Sequence, residues 1–326
     1  MDSQLKFGAF IPQGWKLEYL GIDASGAWKQ SLEIAQVIES CGYDHLWVYD
    51  HVETVPRREP THVFEAFTTL AAVSQVTSRV KLGQLVTCAA YRNAGVLAKT
   101  AACIDVMSGG RLIFGLGAGW YEREYQAYGI EFPAPGARIE LLDETLEAVR
   151  MLWSQETTTF AGKHLEFNGA YCDPKPLQQL PEIWVGGGGE RKTLRVAAKH
   201  ASHTNWQVGI EQFRHKSEVL AGHCADLGRE FASITRTHGP DCRIFATEAE
   251  LADWLSSPGG GALRGDVPHE QYVANHFVGT VAQVIPKVQA YVDAGCREFV
   301  MWFRDVPSTY SIEKFAADVI PNVTYR

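Results

Sequence analysis

The chain has 326 residues, 46% hydrophobic and 21% charged, with a formal net charge of −8, a length that allows one large domain or two smaller ones. The acidic balance argues against a surface that tracks phosphates, so no nucleic-acid partner is expected, and no run of 18 apolar residues exists to span a membrane. Seven cysteines without a CxxC pair read as reduced thiols, and the first eight residues lack the basic-then-apolar pattern of a signal peptide; together these imply a cytoplasmic protein.

Short β-branched or aromatic runs alternate with longer amphipathic segments. The first run is Lys6 to Ile11, followed by a helical pattern over Ala27 to Cys41 with Leu32, Ala35, Val37 and Ile38 on its apolar stripe. The second is His45 to Tyr49, with a helix over Phe64 to Gln75. The third is Lys81 to Thr87, with a helix over Ala94 to Met107. The fourth is Leu112 to Leu116, with a long helix over Arg138 to Trp153 whose Leu141, Leu142, Leu146 and Val149 face inward. A fifth run, Glu182 to Val185, precedes a helix from about Arg191. A sixth, Thr204 to Gln207, precedes Glu211 to Leu227. The seventh run is Arg243 to Ala246, before Glu248 to Leu255, and the eighth is Glu298 to Phe303, before a last helix over Ile312 to Val319.

Eight strand–helix repeats suit a closed parallel barrel, because parallel strands need crossovers and those are usually helices. The expected fold is α/β, a (β/α)8 TIM barrel forming a single domain over residues 1–326; an open doubly wound sheet is the competing architecture. Two insertions break the alternation: a small hairpin within 157–176, and a Gly/Pro-rich segment within 256–275 that reads as a loop.

Barrel active sites gather at the C-terminal ends of strands. After the second run come Asp50 and His51, able to orient a ring or shuttle a proton, or else to cap a turn and fill space. After the third come Tyr91 and Arg92, which could stack on a ring and meet an anion, or lie on the surface. After the fourth comes GLGAGW, where glycines let a flat ligand approach the backbone; Trp120 stands where a GxGxxG fingerprint needs its third glycine. After the fifth come Gly186, Gly187, Gly188 and Gly189 with Arg191, Lys192 and Thr193 at a helix start, either a phosphate cradle or a tight packing turn. Aromatic residues crowd the same ends: Trp15, Tyr91, Trp120, Tyr121, Trp206, Trp302 and Phe303. No HExxH, GxSxG or P-loop occurs and no metal constellation is readable, which shifts weight toward cofactor chemistry.

Several segments resemble the bacterial-luciferase-like family, in particular its deazaflavin-dependent oxidoreductase branch: GYDHLWVYDH (Gly42 to His51), Lys81 to Leu112, FGLGAGWYEREYQAYG (Phe114 to Gly129), YCDPKP (Tyr171 to Pro176), IWVGGGGERKTLRVAAKHA (Ile183 to Ala201) and Phe277 to Phe303. The resemblance implies a (β/α)8 barrel holding coenzyme F-420, a deazaflavin, or alternatively FMN, at the strand C-termini. It implies hydride transfer between reduced F-420 and a small organic substrate; the alternatives are an FMN-dependent monooxygenase and, from another class, a non-catalytic flavin-binding or partner-binding barrel. By the same resemblance Asp50 and His51 lie beside the reactive ring, Leu85 and Val86 form a non-proline cis peptide behind it, Ala118 and Gly119 contact the cofactor, and Gly186 to Gly189 cradle its phosphate, with Asn205 retained in the segment of the sixth strand. It further implies a homodimer, although no heptad or symmetric patch is readable. Trp120 replaces the acid glutamate of the sugar-phosphate dehydrogenases in this branch, which argues against such a substrate. His203 is a further departure, on the substrate side or in packing.

Overall fold

The computed structural model describes residues 4–55, 57–264 and 267–325. Eight parallel strands close into a barrel: β1 (Lys6–Phe10), β2 (His45–Val48), β3 (Lys81–Gln84), β4 (Leu112–Gly117), β5 (Glu182–Gly186), β6 (His203–Trp206), β7 (Thr235–His238) and β8 (Glu298–Phe303). Closure comes from β8 pairing with β1, Lys6 opposite Glu298, which leaves no open edge. This is the (β/α)8 fold expected from the alternation. Helices cross from strand to strand on the outside, beginning with Ala24–Ser40, Ala66–Val73, Ala94–Met107 and Pro135–Ser154. Their starts are fixed by short polar side chains: Asp23 accepts from the Gly26 amide, and Asn93 from those of Gly95 and Val96.

Leu142, Leu146 and Val149 are fully buried between the Pro135–Ser154 helix and the strands, as the helical stripe requires. The inside of the barrel is a separate aromatic plug built from Phe10, Trp47, Tyr49, Ile113, Trp184, Val300 and Trp302, capped by Trp15. Room for such rings comes from small neighbours: a Cβ on Gly83 would lie 2.5 Å from the Trp47 ring.

The floor of the barrel is charged. Lys6, His45, Lys81, Glu182, His203 and Glu298 each open their strand, so parallel register gathers them at one end. Glu298 receives His45 and His203, each at 3.3 Å, and pairs with Lys6 at 3.4 Å, while Lys81 pairs with Glu182. His203 also stacks on Trp184 with 4.7 Å between centroids. Its departure from the family pattern is thus a packing change at the closed end of the barrel.

Three expectations need correction. The seventh barrel strand is Thr235–His238, not Arg243 to Ala246. Thr-Arg-Thr-His reads as polar, but Thr237 hides its hydroxyl in the barrel, accepting from Asn205 and donating to the Thr204 carbonyl. The later run forms Asp241–Phe245, which leaves the barrel to pair with Phe277–Thr280 and is in register with β8 at Trp302 and Phe303. The Gly/Pro-rich segment is not a plain loop: Pro258–Arg264 and His269–Asn275 are helical, and Tyr272 is buried with its hydroxyl on Asp241; residues 265–266 lie outside the described residues. The third run divides at Leu85–Val86, with Thr87–Cys88 pairing separately with β4.

The hairpin is present as Thr158–Ala161 against Glu166–Ala170. Its turn is held by Glu144, whose carboxylate accepts the backbone N–H groups of Lys163, His164 and Leu165. Among the described residues no helix is long and apolar enough to cross a membrane.

Candidate active site

A cavity of about 560 Å³ opens at the C-terminal ends of the barrel strands. It gathers Asp50, His51, Leu85, Val86, Ala118, Gly119, Gly186, Gly187, Gly188 and Asn205 from the ends of several strands. Gly189 stands apart, lining an adjoining shallow depression with Glu190, Arg191 and Lys192. Of the aromatic residues expected at this face, Trp15, Tyr91, Trp120, Tyr121, Trp206 and Trp302 line the cavity. Phe303 does not; alternation along β8 turns it outward, into the core between strands and helices.

His51 follows β2 and lies flat against Trp15, with 4.0 Å between centroids and 5° between planes. Its Nδ1 is 2.7 Å from Oε2 of Glu124, a carboxylate with no exposed surface on the Glu122–Ala127 helix. The same oxygen accepts the Tyr91 hydroxyl at 2.8 Å, and Oε1 accepts the amides of Val52 and Glu53 at 2.8 and 3.0 Å. Burial opposes ionisation of Glu124, but the His51 hydrogen bond and the two backbone amides hold its carboxyl below the usual carboxylate range. An ionised Glu124 only accepts, so Nδ1 of His51 must carry a proton. Nε2 then remains as the ring's proton acceptor, with no partner among the described residues.

Asp50 is committed differently. Its carboxylate is gripped by both terminal nitrogens of Arg92, at 2.6 and 2.7 Å, and accepts the Cys88 amide at 2.8 Å. Arg92 also reaches Glu65, the cap of the Ala66–Val73 helix. The pair therefore ties the end of β2 to the segment after β3, and Arg92 is no longer free for an anion.

The Leu85–Val86 peptide is cis, as the resemblance implies. Val86 leans on two strands that have no side chain at the contact: a Cβ on Gly117 or Gly186 would lie 2.5 or 2.7 Å from its methyl groups. Gly119 lets the chain pass beneath Tyr125, whose hydroxyl would sit 1.9 Å from a Cβ there. Beyond β5, Gly187 has φ +114°, a conformation that side chains rarely adopt. The Gly188 carbonyl is pinned by Lys216 Nζ at 2.7 Å, and Thr193 begins the next helix. Asn205 donates to Thr237 at 2.8 Å and lines the wall.

Two site residues carry no signal in the sequence. Glu124 is one acid among several in a helix start; only the fold shows that it lies beneath His51. Arg138 reads as the first residue of a helix, yet it lines the cavity with its guanidinium 4.0 Å from the centre of Phe132, and its buried Nε has no partner. Pro135 and Ile139, on the same turn, line both the cavity and the depression beside the glycines, so Arg138 stands at the glycine end of the cavity.

The profile of luciferase-like monooxygenases matches residues 6–256. An uncharacterized protein of Mycobacterium tuberculosis is 31% identical over 182 residues, covering 51% of this chain and 64% of its own length, less than two thirds. An F-420-dependent glucose-6-phosphate dehydrogenase of Amycolatopsis mediterranei is 33% identical over 319 residues, covering 90% of this chain and 93% of that one. Among solved structures, an F-420-dependent secondary alcohol dehydrogenase in complex with an F-420–acetone adduct superposes with a TM-score of 0.83 at 20% identity, over 98% and 99% of the two chains. The FMN-bound oxygenating constituent of 3,6-diketocamphane monooxygenase from Pseudomonas putida superposes at 0.78 with 17% identity, over 98% of each chain. At those identities the two superpositions speak for the fold, whereas the profile and the full-length relative settle the lineage: the chain belongs to the luciferase-like monooxygenase family.

Proposed function

We propose that the protein is an oxidoreductase that transfers a hydride between coenzyme F-420 and a small organic molecule. The observation that carries this reading is the His51–Glu124 pair, a tautomer-fixed imidazole in the wall of a cavity whose other end is a glycine cradle. The full-length relative named as F-420-dependent adds support.

The cavity fits a flat, anionic-tailed cofactor on its own features. Val86 forms a bulge seated on Gly117 and Gly186, against which a planar ring can rest. Gly187 and Gly188, Thr193 and the unpartnered Nε of Arg138 suit a phosphate. The deazaflavin, when bound, supplies the two-electron hydride donor or acceptor.

The chain's own residues do the rest. His51 takes the hydroxyl proton of an alcohol on Nε2, or returns one to a carbonyl oxygen in the reverse direction. Glu124 stabilises the imidazolium so formed and prevents the other tautomer. Asp50 is a positioning residue, holding the β2 end against Arg92. The aromatic wall excludes water from the reacting atoms.

A second reading, an FMN-dependent monooxygenase, draws on the family's description and the FMN-bound neighbour. Side-by-side equilibrium titration of the purified protein with F-420 and FMN separates them. Tighter binding of F-420, abolished in Gly187→Asp by strain and a carboxylate in the cradle, is the expected result. Preference for FMN overturns the F-420 assignment, and F-420 affinity unchanged in Gly187→Asp overturns the cradle.

A further inference from the structure

We infer that the substrate of this site is an uncharged molecule with an aromatic or bulky apolar body, held in a box of rings around His51. The inference rests on the cofactor reading above, since it assigns the half of the cavity away from the glycines. That half is walled by Trp15, Tyr49, Trp120, Tyr121 and Trp302. The His51 ring has Trp15 stacked on it, and the rings of Trp120 and Tyr121 stand edge-on at 6.0 and 6.3 Å. Trp120 is 62% exposed, a large apolar surface kept at the cavity mouth without burial of its own. Exposed tryptophan costs solvation, and a ligand that covers it recovers that cost.

Charge makes the same point. Among the cavity-lining residues, Arg138 is the one with a permanent positive charge, and it stands on the turn that lines the cradle. Two further cations lie close by, behind the rings: Lys16 is 4.2 Å from the centre of Trp15, and Arg304 is 3.7 Å from that of Trp302. Neither lines the cavity. Arg304 is bonded to Asp241 at 2.5 Å, a pair without net charge, and burial together with the nearby Arg304 charge lowers the pKa of the Lys16 ammonium to about 8. An anion in the box therefore meets no cation in the wall around it. A phosphate or carboxylate brought to the box would lose water and gain no ion partner, which disfavours it strongly.

The test uses acetophenone and 4-acetylbenzoate, which differ by one para carboxylate, with glucose 6-phosphate as competitor. F-420 is titrated first; failure at that stage removes the cofactor reading and is separate from failure of the substrate assignment. Binding to the F-420-loaded protein is then read by quenching of tryptophan fluorescence and by saturation-transfer NMR. The expected result is acetophenone bound at least about tenfold more tightly than 4-acetylbenzoate, with no displacement by glucose 6-phosphate. Trp120→Ala should weaken acetophenone about fivefold while F-420 affinity stays within about twofold. Equal or tighter binding of 4-acetylbenzoate, displacement by glucose 6-phosphate, or parallel loss of both ligands in Trp120→Ala would each overturn the inference.

Discussion

Glu124→Gln isolates what the buried carboxylate does for His51. The amide keeps the shape but offers one acceptor oxygen and one donor nitrogen to a site with four donors. Facing its oxygen to the amides of Val52 and Glu53 satisfies those two, and the NH2 then confronts Nδ1 of His51 and the Tyr91 hydroxyl. His51 relieves the clash by moving its proton to Nε2, the atom needed as acceptor. Losing the charge-assisted bonds costs about 1.5–3 kcal/mol of stability, a fall in Tm of roughly 2–4 °C for a chain of this size. Losing the correct tautomer costs about 10²–10⁴-fold in kcat. The assay is F-420 turnover followed near 420 nm, beside thermal melting and an F-420 titration, in which Kd should move less than about threefold. A variant that melts lower but retains kcat within about threefold of the parent refutes the tautomer argument, leaving Glu124 as a structural acid only.

Asp50→Asn breaks a bidentate pair in which Asp50 is buried and Arg92 a fifth exposed; a loss of about 2–4 kcal/mol in denaturant unfolding is expected, the value for buried pairs discounted for that exposure. Gly186→Ala places a methyl 2.7 Å from Val86, so F-420 affinity should fall at least about tenfold while the secondary structure seen by circular dichroism is kept. Glu298 has its carboxyl held well below the usual range: burial opposes this, but the hydrogen bonds and charges of His203 and His45 outweigh it. A depressed carboxylate contributes stability that is complete above its unfolded value, about pH 4.3, and is lost as pH falls through the folded value. Acid unfolding of the parent should therefore steepen below about pH 4, and Glu298→Gln should flatten that limb while lowering stability at neutral pH; an unchanged limb would show that the charged floor does not govern acid stability.

The barrel was legible because seven of its eight strands fall in short runs with β-branched or aromatic residues, each followed by a helical stripe. The remaining one, Thr235–His238, was not, because its polarity is satisfied inside the wall by Asn205 and the Thr204 carbonyl. Composition cannot distinguish a polar loop from a strand whose hydroxyls are paired across a barrel. The helix Pro258–Arg264 escaped for a different reason: three glycines argue for a loop locally, and tertiary contacts override that propensity. Site residues were legible in proportion to their place beside a strand end. Asp50, His51 and the glycines sit there directly. Glu124 and Arg138 reach the site from helices, and no local pattern announces which face of a short helix will lie beneath a distant imidazole.

His51 and His203 show why position on a strand, more than residue type, decides chemistry in this fold. Each is tied to a glutamate and stacked on a tryptophan, at 4.0 and 4.7 Å. Yet His203 opens β6, where parallel strands begin and side chains close the floor, and it shares Glu298 with a second histidine. Both its ring nitrogens are engaged, Nδ1 with Ser202 and Nε2 with Glu298. His51 comes after β2 ends, where the chain turns out of the barrel and leaves Nε2 uncommitted. A free nitrogen in a wall of rings can exchange a proton with a ligand; a doubly engaged one can only hold strands together. The contrast accounts for two histidines in similar company at opposite ends of the barrel, one closing its floor and one lining its cavity.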